Sequence, residues 1–166
     1  MSRHETARLH WHWPTPKRKI MAADKISLAP MLLKNGPPGQ DVAWVIEQPE
    51  GTFSVPGKQT LGLMPITLPH GHHINSLRVT GGGGSGAAGE LFVDLVRQPI
   101  VGFDNSENVV RIHLSPVTPS LDTTVAAVTA TATVDNDQFY YYLSASLSNI
   151  SSIVTLSSFQ IAHSST

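Results

Sequence analysis

Residues 134–147 read VDNDQFYYYLSASL, a turn followed by the strongest strand signal in the chain. Phe139, Tyr141, Leu143, Ala145 and Leu147 fall on one parity, and Gln138, Tyr140, Tyr142, Ser144 and Ser146 on the other. Such alternation describes a half-buried strand. Asp135, Asn136 and Asp137 favour a tight turn through side-chain bonds to nearby backbone, which predicts an antiparallel return against residues 125–134. A two-strand ribbon is marginal in water, so other apolar segments must cover it.

Those segments lie on either side. Working outward, strand patterns run over residues 42–46, 51–55, 61–68, 73–80, 90–97, 109–114, 125–134 and 153–162, punctuated by Gly, Pro, Asn and Asp. Pro65 marks an edge or a bulge, and the change of apolar parity between Leu156 and Phe159 predicts a bulge near Ser157 and Ser158. The run GGGGSGAAG at residues 81–89 reads as a flexible hairpin tip. No segment holds a helical period. About eight short strands with regular turns predict an all-β fold, an eight-stranded antiparallel sandwich that is jelly-roll-like.

At 166 residues the chain suits one domain with a real core. Charged residues make up 14%, against about 25% in average globular proteins, which suits a surface that lies against other protein. The absence of cysteine excludes disulfides, thiolate metal sites and thiol nucleophiles. No apolar run approaches a membrane span, and the first residues lack the apolar centre of a signal peptide, so a soluble, non-membrane protein is expected.

Charge is divided along the chain. Residues 1–34 carry seven basic residues against two acids, a balance of +5, while the remainder carries four against ten, a balance of −6. Residues 1–40 are also rich in proline and read as an extended anchoring arm, with residues 41–166 as the sandwich domain. In the arm, Trp11 and Trp13 with Lys17, Arg18 and Lys19 could fill pockets on a neighbouring acidic protein. The same group could contact nucleic acid by charge and stacking, but the acidic body does not favour a polyanion.

Three further groups bear on ligands. His70, His72 and His73 are weak candidates for Zn or Ni, with no carboxylate close in sequence, so the expectation is no metal and no cofactor. Tyr140 and Tyr142, on the outward parity of the aromatic strand, could form a platform for sugar rings. The glycine run lacks the lysine and following helix of a phosphate-binding loop, and no nucleophile elbow is present, so no enzymatic activity is expected.

Four pieces taken together, PITLPHGHHINSLRV (65–79), ELFVDLVRQPI (90–100), TVDNDQFYYYLSASL (133–147) and SFQIAHS (158–164), resemble a small jelly-roll-type domain of phage and bacterial structural proteins. The resemblance covers the last 100 residues or so. It implies a head decoration, cement or minor structural protein of a virion, assembling as a homotrimer on a neighbouring shell protein. The alternative reading is a carbohydrate- or receptor-binding module using Tyr140 and Tyr142, or the loops at residues 70–73 and 81–89.

Overall fold

The fold was obtained as a computed structural model, which describes residues 23–34, 43–47, 51–54, 58–83, 89–102, 105–149 and 151–166. Trp11, Trp13, Lys17, Arg18 and Lys19 lie outside the described residues. Among the described residues there are eleven strands: β1 (Asp24–Leu28), β2 (Leu33–Lys34), β3 (Val45–Glu47), β4 (Gly51–Phe53), β5 (Thr60–Ile66), β6 (His72–Gly83), β7 (Glu90–Pro99), β8 (Glu107–Leu114), β9 (Leu121–Ala126), β10 (Phe139–Ser148) and β11 (Val154–Ser165). Among the described residues the helical structure is a single 3-10 turn, Thr129–Thr131.

The strands form two antiparallel sheets. One runs β3-β4-β11-β6-β9, with β1 also on β11, and the other runs β2-β5-β10-β7-β8. From β4 onward the order is 4-11-6-9 in the first sheet and 5-10-7-8 in the second, which is the connectivity of an eight-stranded jelly roll. The expected sandwich is therefore present, with β1, β2 and β3 added to it.

Alternation explains the core. Tyr141, Leu143, Ala145 and Leu147 of β10 are buried, and meet Leu77 and Val79 of β6 and Phe159 and Ile161 of β11 in one apolar cluster. Full burial of a side chain of this size contributes about 1.5–3 kcal/mol. The apolar parity switch in β11 is accommodated by a register shift between Leu156 and Ser158, as its sequence predicts. Pro65 pairs with Tyr142 on one side, while β2 reaches only Leu63 and Gly62 on the other, so the proline stands on an open edge of β5, where the residue type is tolerated.

Three expectations are corrected. The aromatic strand β10 pairs with β5 and β7, not with residues 125–134. Its turn does form, with the Asp135 carboxylate accepting from the Asp137 and Gln138 amides at 3.0 and 3.2 Å, but it links the two sheets. Residues 125–134 are no single strand either. β9 ends at Ala126 against β6, and the 3-10 turn follows.

Next, Gly81, Gly82 and Gly83 belong to β6 rather than to a flexible tip. A Cβ on Gly81 would run into the carbonyl of Thr155, so this glycine permits a close backbone approach. Finally, residues 24–34, counted with the arm in the sequence, supply a strand to each sheet, and Leu32 is a core residue. Leu32 and Trp44 press on Gly62, where a Cβ would lie 2.7 Å from each, and the Trp44 indole donates to the carbonyl of Ala145 at 3.1 Å.

Candidate functional site: the outer face of the five-stranded sheet

Because Tyr141, Leu143, Ala145 and Leu147 point inward, Tyr140, Tyr142, Ser144, Ser146 and Ser148 stand on the outer face of β10. The register sets their neighbours. Gln98, Val96, Asp94 and Phe92 of β7 lie opposite Tyr140, Tyr142, Ser144 and Ser146, and Pro65, Leu63 and Leu61 of β5 lie opposite Tyr142, Ser144 and Ser146.

The two tyrosines sit side by side, as their outward parity predicts. Their ring centroids are 6.1 Å apart with the planes tilted by 31°. Tyr140 is 47% exposed, whereas Tyr142 is half-buried and stands opposite Val96. Burial, reinforced by the neighbouring Tyr140, pushes the Tyr142 hydroxyl above the ordinary phenol value, while the Ser106 side chain opposes this. Tyr142 is partly covered and Tyr140 is presented. With Leu63, Pro65 and Gln98 they line a shallow cavity of about 270 Å³.

Beyond the tyrosines the face becomes polar and self-paired. Arg111 of β8 holds Asp94 in a bidentate pair at 2.8 and 3.0 Å, and its guanidinium lies 5.7 Å from the Phe92 ring centre. The hydrogen bonds to Asp94, and then its charge, raise the Arg111 pKa. His113 stacks on Phe92 at 4.2 Å with a plane angle of 6°. At the sheet end, on the opposite parity and level with Tyr141, Arg97 binds Glu107 at 2.9 Å and covers the Phe139 ring at 4.5 Å. These partners were not singled out in the sequence, because they depend on which strands flank β10.

The histidines are dispersed. His72 meets His163 with their Nδ1 atoms 2.9 Å apart, so one ring donates and the other accepts, while His73 pairs across the sheet with Ser164. His70 is brought instead to Asp135 and Asp137, with ligand-type atoms all within 4.8 Å of one another. These carboxylates are distant in sequence and were not expected beside it.

The bonding of the cluster does not suit a metal, however. His70 Nδ1 accepts the Asn136 amide at 3.1 Å, which uses its lone pair and leaves the other ring nitrogen of the neutral ring protonated. Asn136 also donates to the Leu68 carbonyl at 2.9 Å, and Gly71 donates to Val134 at 2.9 Å. The cluster latches two turns together.

A second hollow, of about 450 Å³, lies on the outer face of the other sheet between Lys25, Arg78, Asp122, Thr124 and Gln160. Its groups bind each other. Arg78 holds Asp122 at 2.7 Å through two nitrogens, and Gln160 donates to Ser27 at 3.2 Å.

No family model matches the chain, and no curated protein matches it. Among solved structures it is similar to a xylan-binding module CBM15, with a TM-score of 0.49 and 11% identity, over 86% of this chain and 98% of that one. It is also similar to Xylanase10C (mutant E385A) from Cellvibrio japonicus in complex with xylopentaose, with a TM-score of 0.41 and 11% identity, over 86% of this chain and 27% of that one. Likenesses this distant bear on neither ligand nor reaction. No helix among the described residues is long and apolar enough to cross a membrane.

Proposed function

We propose that the protein is a non-enzymatic carbohydrate-binding module whose site is the outer face of the five-stranded sheet. The observation that carries this reading is the Tyr140–Tyr142 pair on the outer face of β10, with Tyr140 exposed and Tyr142 half-buried beside it over a shallow cavity. Sugar rings have an apolar face that lies well on an aromatic ring and a polar rim that needs donors and acceptors alongside. Tyr142, half-buried on β10, loses less freedom on binding than a fully exposed ring would.

Affinity electrophoresis of the full chain in gels containing soluble xylan, β-glucan or mannan tests the reading. At least one polysaccharide should retard the wild type, and Tyr140→Ala should weaken that binding about tenfold or more. Equal mobility in every gel would remove it.

A second reading, membership of a larger assembly such as a virion shell, is favoured by a separate observation. Val45 and Ile46 of the edge strand β3 are each 40% exposed, and an apolar edge is a template for pairing with another chain. On this reading a homotrimer or a shell protein would cover that edge, with the arm bearing Trp11 and Trp13 as a second attachment. Light scattering on the full chain separates the two readings, since a monomer at micromolar concentration speaks against assembly through β3.

A further inference from the structure

The outer residues of β10 change character along the strand. Tyr140 and Tyr142 are followed by Ser144, Ser146 and Ser148, three small hydroxyl-bearing residues on the same parity. Larger side chains flank them, with Leu61 and Leu63 on β5 facing Ser146 and Ser144 from one side and Phe92 and Asp94 on β7 from the other. Small residues between rows of large ones make a trough along β10. From Tyr140 to Ser148 the strand advances eight residues, about 27 Å at the rise of an antiparallel strand. That is far longer than one sugar ring.

Charge narrows the ligand further. Arg111 is held by Asp94 and Arg97 by Glu107, so the arginines of this sheet already have carboxylate partners. Glu90 stands opposite Ser148 at the far end and adds negative charge there. Among the described residues of this sheet no free arginine offsets the repulsion that an acidic polymer would meet at Glu90, and Lys34 of β2 lies beyond β5 from the trough.

We infer that the trough takes a neutral, unbranched polysaccharide lying along β10, with rings over Tyr140 and Tyr142 and hydroxyls over Ser144, Ser146 and Ser148. This rests on the carbohydrate-binding reading and adds the length, charge and direction of the ligand. The chain is gripped along its middle, so a free chain end is not required. Leu61 and Leu63 press on the edges of the rings, and the serine hydroxyls turn to suit either donors or acceptors.

The test is calorimetry of the full chain with one neutral oligosaccharide series from dimer to hexamer, taken from whichever polymer retards it, beside an acidic polygalacturonate series. Wild-type affinity should climb about tenfold or more from dimer to hexamer, with no binding of the acidic series. Ser146→Trp, which fills the trough midway, should bring hexamer affinity down to that of the dimer, while Ser146→Ala, which removes one hydroxyl and leaves the trough open, should weaken the hexamer by a small factor only. Thr124→Trp on the opposite face should change nothing.

Two results would overturn the inference while leaving the tyrosine site standing. One is equal affinity for dimer and hexamer, and the other is a hexamer that ignores Ser146→Trp in a protein of unchanged melting temperature. Preference for the acidic series would also overturn it. If no saccharide of any length binds, the underlying reading fails with it.

Discussion

The two sheets of this sandwich turn opposite characters to solvent. The six-stranded sheet shows Lys25, Ser76, Arg78, Asp122, Thr124 and Gln160, while the five-stranded sheet shows Tyr140, Tyr142, Phe92, Leu63 and Pro65. The larger hollow is on the polar side, about 450 Å³ against about 270 Å³. Size alone therefore points away from the proposed site. On the polar side Arg78 and Asp122 satisfy each other, and a ligand would have to break that pair before gaining anything from it. On the aromatic side Tyr140 offers apolar surface that water solvates poorly, so covering it is favourable from the start.

The largest effect that can sharpen this contrast comes from beneath the polar face. Phe159 is fully buried there, and Phe159→Ala should cost about 3–5 kcal/mol of stability, read from urea unfolding. If the polar face is only scaffold, the folded fraction of that variant should bind polysaccharide as the wild type does. A specific loss of affinity at unchanged folded fraction would tie ligand binding to both sheets.

Next in size is the aromatic face itself. Tyr140→Ala should weaken polysaccharide binding by about 2 kcal/mol, roughly 30-fold, with little change in melting temperature because the ring is half exposed. The paired variant Gln160→Ala on the polar face should leave affinity where it was. Loss of binding in Gln160→Ala with retention in Tyr140→Ala would reverse the assignment of faces.

Much of this contrast was legible in the sequence. The parity of β10 is set by residues two apart, so Tyr140 and Tyr142 could be placed outward with no knowledge of their partners. Val134–Asp137 likewise announced a turn through side chains that bond to their own backbone. What could not be read was pairing. Residues 125–134 alternate as a strand does, but Thr129–Thr131 tighten into a 3-10 turn, residues 132–134 return to β6, and the chain crosses to the other sheet only at the Asp135 turn. With the wrong neighbour for β10, Gln98, Asp94 and Arg111 had no reason to stand out.

The glycines and the arm misled for a related reason. Gly81 is demanded by the Thr155 carbonyl of another strand, and a run of glycines looks the same whether it serves mobility or close packing. Residues 24–34 hide their role because β1 and β2 are short and half-exposed strands. Their apolar residues gain burial only once β11 and β5 are in place.

A smaller effect concerns Tyr141, which faces the core between the two outer tyrosines. Its hydroxyl accepts the Asp135 amide at 2.9 Å, and Tyr141→Phe should leave that donor unpaired at a cost of about 1 kcal/mol. Burial raises the pKa of this phenol, chiefly by disfavouring its charged form. With the folded value above the unfolded one, its contribution is complete below about pH 10 and is lost as pH rises through the folded value. Wild-type stability should therefore fall at alkaline pH more steeply than that of Tyr141→Phe. Parallel curves would show that the hydroxyl is not the titrating group.

The smallest effect belongs to the Arg78–Asp122 pair. Hydrogen bonding to Arg78 holds the Asp122 carboxyl below its ordinary value, its slight desolvation opposes this, and the pair is open to solvent. A depressed folded value means that the contribution is present above about pH 4, where the unfolded carboxyl is already ionised, and disappears as pH falls through the folded value. Asp122→Asn should accordingly be slightly less stable than wild type at pH 7 in low salt. The difference should close on acidification, and also at about 1 M salt where exposed charges are screened. Urea titrations at pH 7 and pH 3 would show it. A gap that persists at both would mean that Asp122 shapes β9 through its backbone, and that the polar face is more than a set of mutually satisfied surface charges.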